Sequence, residues 1–306
     1  MTVRRVLLVR PRGFCAGVVR AIDTVERLLE RHGAPVYVRR AIVHNGHVVA
    51  DLTARGAIFV DELGQVPGGG LVVFSAHGVA RRVEIHAAKR GLRAVDATCP
   101  LVAKVHREVE RFVAEGYDVV LVGHAGHDEV VGTLGRAPDV KLVARPSDVA
   151  SLVVRDPDRV ACVTQTTLVP GEIDAVVAAL RARFPRLRLP PTDDVCYATR
   201  NRQRALRWLA DHRNVVLVLG DETSSNAHLL REVASDCCPA HLIGSIAELD
   251  PDWLAGVETV GVTAAASTPE SLVRAAVDFF AARGATITEE ELEVEPTWFP
   301  APAMPA

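Results

Sequence analysis

Three stretches decide the fold: CAGVVRAIDTVERLLERHG (15–33), CPLVAKVHREVERFVAEG (99–116) and CYATRNRQRALRWLADH (196–212). Each opens on a cysteine and continues with apolar residues three and four apart, the spacing of an amphipathic helix. Each then runs into an apolar strand pattern, YVRRAIV (37–43), DVVLVG (118–123) or NVVLVLG (214–220). Those strands end in polar loops holding His44-Asn45, His127-Asp128-Glu129 and Ser224-Ser225-Asn226. From cysteine to loop the offsets are 29, 28 and 28 residues. A second apolar strand follows in each case, ending in SAHG (His77), TQTT (Thr166) or TAAAS (Ser267). The threefold recurrence predicts three related α/β units that face one shared centre.

Further out, β-rich runs such as RRVLLVR, GLVVFSA, RVACVTQ and ETVGVT alternate with helical patterns such as GEIDAVVAALRARF and PESLVRAAVDFFAARG. Such alternation means βαβ units with mainly parallel sheets. Continuous Val/Leu content suits sheets covered on both faces. The expected division is residues 1–98, 99–194 and 195–283 as three α/β units, with the Pro-rich RLRLPPTDD (186–194) before Cys196. Residues 284–306 read as a C-terminal tail that packs through Trp298 and Phe299 or frays.

The chain has 306 residues, 49% of them hydrophobic, and a formal net charge of −3, which describes a globular protein with ample core. That charge gives no basic surface for nucleic acid and no polybasic membrane signal. The N-terminal apolar run VLLV is too short for a signal peptide, and no run approaches a bilayer span. A cytoplasmic location is expected, where cysteines serve metals or catalysis more often than disulfides.

In parallel α/β sheets, ligands bind outside the carboxyl ends of the strands. Here nearly every strand delivers its reactive residues at that end. For any one such loop, helix capping is a sufficient explanation; for eight of them together a shared site is the stronger reading. Cysteine zinc sites usually use close CxxC pairs, which this chain lacks. Three isolated thiolates instead suit a 4Fe–4S cluster whose fourth iron stays open as a Lewis acid for a substrate hydroxyl. Cys162, inside RVACVTQ, and the vicinal Cys237-Cys238 read as small buried hydrophobes. His44, His77, His124 and His127 fall at strand ends, whereas His32, His86, His106, His212 and His241 fall in helical or surface contexts. With Ser224, Ser225, Asn226 and Ser267 as neutral donors at helix starts, the set describes a diphosphate pocket. Glu129 is a carboxylate placed to supply protons or, equally, to sit favourably at a helix N-terminus.

The ordered motifs RGFCAGV (12–18), IVHN (42–45), GAIFV (56–60), FSAHGV (74–79), DATCPLV (96–102), GHAGHDE (123–129), TQTTL (164–168), DDVCYAT (193–199), SSN (224–226) and FPAP (299–302) carry a resemblance. By them the chain resembles the 4-hydroxy-3-methylbut-2-enyl diphosphate reductase (LytB) family. The resemblance implies a three-lobed, trefoil-like arrangement of three pseudo-symmetric α/β units around a central 4Fe–4S cluster with one open iron. It implies cluster ligation by Cys15, Cys99 and Cys196, and diphosphate binding by His44, His77, His127, Ser224, Ser225, Asn226 and Ser267. Glu129 would supply protons with His127 beside it, and Thr166 would order the substrate hydroxyl. The implied reaction is a two-electron reductive dehydroxylation of the allylic diphosphate to isopentenyl and dimethylallyl diphosphate, the last step of the methylerythritol phosphate route. Ferredoxin or flavodoxin would be the electron donor, and the protein a monomer or weak homodimer.

Departures from the family pattern lie around the expected ligands: Ala41 before IVHN, Asp128 for proline, Val131 for glutamate, and Ala265 for glycine. In the loop 220–230, Glu222 and Leu229 stand where a lysine and an arginine are usual. Three other readings keep the cysteine set: a diverged paralogue acting on another allylic alcohol, a quinolinate-synthase-like cluster dehydratase, and a non-catalytic iron–sulfur sensor.

Overall fold

The computed structural model describes residues 3–211, 214–296 and 298–304. His212 therefore lies outside the described residues, as do Met1 and Thr2 of the expected first unit and Thr297, Pro305 and Ala306 of the expected tail.

The cysteine-headed patterns form α1 (Ala16–His32), α4 (Pro100–Ala114) and α7 (Tyr197–Ala210). In each case the cysteine is the residue just before the helix. The strands that follow are β2 (Val36–Arg39), β6 (Asp118–Val122) and β9 (Val215–Leu219). The first is shorter than the expected 37–43, because Arg40 adopts φ 59° and turns the chain out of the extended conformation. Next come β3 (Ala57–Val60), β7 (Lys141–Val143) and β10 (Ala240–Ile243), then β4 (Leu71–Phe74), β8 (Val160–Thr164) and β11 (Thr259–Ala264). The remaining strands are β1 (Arg5–Arg10), β5 (Arg93–Asp96) and β12 (Thr286–Glu291).

These strands build three sheets, ordered β3-β2-β4-β5, β7-β6-β8 and β10-β9-β11-β1-β12. Every ladder in them is parallel. One plan recurs: the strand after a cysteine-headed helix takes a central place, the next flanks it on one side, and the third on the other. Beyond the third strand lies β5 in one sheet, β1 in another, and a single parallel bridge from Ala161 to Arg188 in the remaining one. The chain leaves each of these fourth positions toward Cys99, Cys15 and Cys196 respectively.

This plan differs from the expected division at both ends. β1 does not join β2–β5 as a first unit of 1–98 would have it; it lies between β11 and β12. Its alternation-free RVLLVR, buried across Val6–Val9, needs a neighbour on each edge and cover on each face. The segment expected as a tail supplies one of those neighbours, pairing Thr286–Glu291 with Arg5–Arg10. Trp298 does not anchor it and is 67% exposed. Glu289 instead bonds Arg10 and Arg12, and Glu295 bonds the buried Arg202 at 2.8 Å.

The chain divides into two compact units, one of Met1–Val19, His44–Val48 and Tyr197–Trp298, the other of Arg20–Val43, Val49–Cys196 and Phe299–Ala306. The first holds the five-stranded sheet, with a core of Val6, Leu8, Leu217, Val260, Val273 and Phe280 among others. The second holds the other two sheets. On β6, Val120 and Val122 pack with Leu180 and Phe184, while Val119 and Leu121 pack with Val105, Val109 and Phe112. Both faces of that strand are thus buried, as its unbroken DVVLV run requires.

Candidate functional site

The expected site residues fall in two sets, one in each compact unit, and each set is assembled at the carboxyl ends of its own strands.

In the first unit, Ser224 caps α8 (Ser225–Ser235), its hydroxyl accepting from the Ala227 amide at 3.3 Å. Ser267, on the loop after β11, donates its hydroxyl to the His44 carbonyl at 2.9 Å and lies 3.5 Å from the Ser224 hydroxyl. Asn226 accepts from the Ala266 amide at 2.8 Å. Its side-chain nitrogen is buried and has no partner among the described residues. A buried amide donor without an acceptor costs about 1–3 kcal/mol, so this position suits a ligand oxygen. Asn45 caps α2 (Gly46–Ala54) by accepting from the His47 and Val48 amides. Asp221 ties the loop after β9 to the same helix, accepting from the Gly46 amide at 2.8 Å. Burial pulls Asp221 upward, but bonds from Thr223 and Gly46 and the nearby His44 outweigh it and hold the acid below its usual range. Ser225 is the half-exposed first residue of α8.

In the second unit, Glu129 lies in the first turn of α5 (Asp128–Leu134) and is 2% exposed. Its two oxygens accept from the Thr166 amide at 2.7 Å and from the Thr166 hydroxyl at 2.9 Å. Burial pushes its acid from the usual 4.5 up to about 7; the two Thr166 bonds oppose that shift and Asp194 adds to it. His127 caps α5, with Nδ1 accepting from the Glu129 amide at 3.2 Å, which leaves Nε2 to carry the ring proton. Its ring meets that of His77 edge-on, centroids 5.8 Å apart. His77 sits in the turn after β4, closed by Gly78 donating to the Ser75 carbonyl at 3.1 Å. Gly78 has φ 77°, and a Cβ there would meet His106 Cε1 at 2.5 Å.

His106 is therefore not the solvated residue its helical context suggests. It is buried beneath the His77 turn, and burial first, then Arg136 and Arg107, lowers its pKa to about 3. The expectation for the other cysteines divides. Cys162 is fully buried, with its thiol pushed up to about 12, whereas Cys237 is exposed and Cys238 only half-buried. His124 lies exposed in the loop after β6, its amide donating to Gln165 at 3.0 Å.

Cys15, Cys99 and Cys196 share one backbone arrangement. Each is half-buried and immediately precedes a helix. Each amide donates to a carbonyl in the loop after the third strand of a sheet: Cys15 to Ala266 at 3.2 Å, Cys99 to Ala76 at 2.9 Å, and Cys196 to Thr166 at 3.1 Å. Ala266 and Ala76 directly precede Ser267 and His77, so cysteine and anion-binding candidate are fixed side by side in two cases, and in the third Cys196 is fixed to Thr166, the candidate for the substrate hydroxyl. A helix N-terminus carries partial positive charge and favours an anionic group. By donor chemistry, a thiol at such a helix start fits iron ligation, the buried Glu129 fits a protected proton source, and the unmatched Asn226 amide fits an oxyanionic ligand.

Asp194 and Lys104 were not singled out by sequence. Lys104 reaches the buried Asp194 at 2.8 Å and the Thr192 and Asp193 carbonyls at 2.7 and 2.9 Å. Asp194 in turn accepts from the Thr164 amide at 2.9 Å. The signal available was the acidic pair Asp193-Asp194 directly before Val195-Cys196.

A family model described as LytB protein matches residues 6–281. The 4-hydroxy-3-methylbut-2-enyl diphosphate reductase of Mycolicibacterium gilvum (strain PYR-GCK) is 54% identical over 284 residues, 92% of this chain and 85% of that protein. The protein of the same name from Azoarcus sp. (strain BH72) is 51% identical over 305 residues, 99% and 98% of the two chains. Among solved structures, the E-1-hydroxy-2-methyl-but-2-enyl-4-diphosphate reductase of Plasmodium falciparum is similar with a TM-score of 0.93 at 37% identity, covering 96% of this chain and 94% of that one. A second, an (E)-4-hydroxy-3-methyl-but-2-enyl diphosphate reductase, has a TM-score of 0.67 at 31% identity, covering 91% and 99%.

Proposed function

The chain belongs to the LytB family, and from that premise we propose that it is a 4-hydroxy-3-methylbut-2-enyl diphosphate reductase. The reaction removes the allylic hydroxyl as water, consuming two electrons and two protons, and yields isopentenyl and dimethylallyl diphosphate. An iron–sulfur cluster goes with the family; its type here is 4Fe–4S, held by Cys15, Cys99 and Cys196. When bound, it supplies electrons singly and a Lewis-acidic iron for the hydroxyl. Ferredoxin or flavodoxin is the electron donor.

The chain's own residues hold and protonate the substrate. Ser224, Ser225, Asn226 and Ser267, with His44, His77 and His127, bind the diphosphate, and the orphaned Asn226 amide finds its acceptor there. Remote anion binding fixes the reacting end and lowers the entropic part of the barrier. Thr166 orients the substrate hydroxyl while its amide and side chain hold Glu129. Glu129, poised near neutrality, donates the proton. The observation that carries the reading is the threefold bond from a cysteine amide to the loop bearing Ser267, His77 or Thr166. The test is anaerobic purification, iron and sulfide analysis, and turnover with a reduced viologen. Substoichiometric iron after reconstitution, or no loss of the allylic diphosphate, would overturn it. Among the described residues no helix is long and apolar enough to cross a membrane.

A further inference from the structure

Each cysteine-headed helix carries a cation one turn and a half after its cysteine: Arg20 follows Cys15, Lys104 follows Cys99, and Arg202 follows Cys196. Arg20 donates to the Thr98 carbonyl at 2.8 Å, the residue before Cys99. Lys104 clasps Thr192, Asp193 and Asp194, the approach to Cys196. Arg202 donates twice to the Gly13 carbonyl, at 3.2 and 2.9 Å, two residues before Cys15. The order closes on itself: the helix of the first cysteine holds the second, that of the second holds the third, and that of the third holds the first.

We infer that Arg20, Lys104 and Arg202 are positioning residues that fix the cysteines cyclically, each cation setting the geometry of the next cysteine in the order. The inference rests on the proposed cluster site for its purpose, though not for its geometry. Each cation reaches at least one backbone carbonyl near the next cysteine, with Lys104 also pairing with the Asp194 carboxylate, and charge-assisted bonds are roughly twice as strong as neutral ones. Arg202 is 1% exposed, and its four bonds to Gly13, Ala198 and Glu295 engage four of the five guanidinium N–H donors. Arg20 is opposed by burial but supported by Asp96 and by the charge of Cys99. Two clasps also engage the C-terminal segment, since Arg20 donates to the Pro300 carbonyl at 2.8 Å and Arg202 to Glu295. Glu295 thus braces the clasp on the Cys15 loop and Pro300 shares the Arg20 that holds the Cys99 loop, which gives FPAP a physical purpose.

The test needs no cluster. In the metal-free protein, the alkylation rate of each cysteine by iodoacetamide is followed by peptide mass spectrometry in Arg20→Gln, Lys104→Gln and Arg202→Gln. A lost clasp should raise labelling selectively by about fivefold, the factor for about 1 kcal/mol of hydrogen bonding: Cys99 in the first variant, Cys196 in the second, Cys15 in the third. Lys104→Arg should keep the parent rate. Reconstituted Arg20→Gln and Lys104→Gln should also lose iron to a chelator faster than the parent. Equal labelling of all three cysteines, or faster labelling of the variant helix's own cysteine, would overturn the inference. If Arg202→Gln does not fold, the first two variants and a chain ending at Leu292 still decide it, the latter by raised labelling of Cys15 and Cys99. Selective labelling in a protein that takes up no iron would sustain the clasps and sink the reductase reading instead.

Discussion

Glu129 combines nearly complete burial with two hydrogen bonds from a single threonine, and the balance leaves its acid near pH 7. A donor at that pKa is both charged and recharged at neutral pH, the best compromise for general acid work. Glu129→Gln should retain its iron and bind substrate yet lose 10²-fold or more of turnover, about the range for removing a general acid. The same shift has a signed effect on stability. Because the folded pKa lies above the unfolded one, the group's stabilising contribution is full below about pH 4.5 and is lost as pH rises through 7. Glu129→Gln, neutral throughout, should therefore gain on the parent by at most about 3 kcal/mol across that window, read from denaturant unfolding of the metal-free proteins. A constant difference from pH 4.5 to 8 would show that the acid is not shifted. Among the cysteines, Cys15→Ser, Cys99→Ser and Cys196→Ser should each abolish stoichiometric iron, while Cys162→Ser should keep it at some cost in melting temperature. Position along the chain made those cysteines and Glu129 legible. It did not reveal the burial of His106, because a lone histidine at helical spacing looks the same on a wet face and a dry one.

Three capped helix starts, at α2, α5 and α8, present equivalent loops with unequal chemistry: Asn45, His127 and Ser224 each accept from the first turn. The loop before α8 carries the main departure from the family pattern. Glu222 is exposed there, and its backbone carbonyl meets His228 Nε2 at 2.7 Å. Leu229, by contrast, is 6% exposed in the core side of α8. An arginine at 229 would bury a guanidinium, so the informative reversal is Glu222→Lys alone. It replaces a negative by a positive charge near an anionic ligand, and should lower the Michaelis constant and steepen its dependence on salt with little change in maximal rate. An unchanged constant at low ionic strength would place Glu222 out of reach of the ligand. At this scale periodicity recovered the long helices and the buried strands. It missed β12, whose TITEEE has no apolar alternation because it is an edge strand paired on one side only.

Over the whole molecule, repeat reading recovered three parallel-sheet units, while the order of strands within each sheet emerges only from the structure, where every unit repeats one strand plan. The division into consecutive thirds was not recoverable that way, because nothing local in RVLLVR records which distant edge it will fill. β1 lies between β11 and β12, with Arg5 opposite both Thr259 and Thr286. On the ribosome that arrangement imposes a schedule. β1 emerges long before β11 and β12, the strands it pairs with, so its apolar residues wait through the synthesis of everything between. The unit holding the other two sheets has its strands complete by Thr164 and can consolidate meanwhile. A nascent chain stalled with residues 1–200 exposed should thus protect β6 and β8 from protease while Arg5–Arg10 stays cleavable, and release of the full chain should protect both. The sheet holding β1 thus closes after the strands of the other two sheets are complete, and any factor that shields a nascent chain has a long task at Arg5–Arg10.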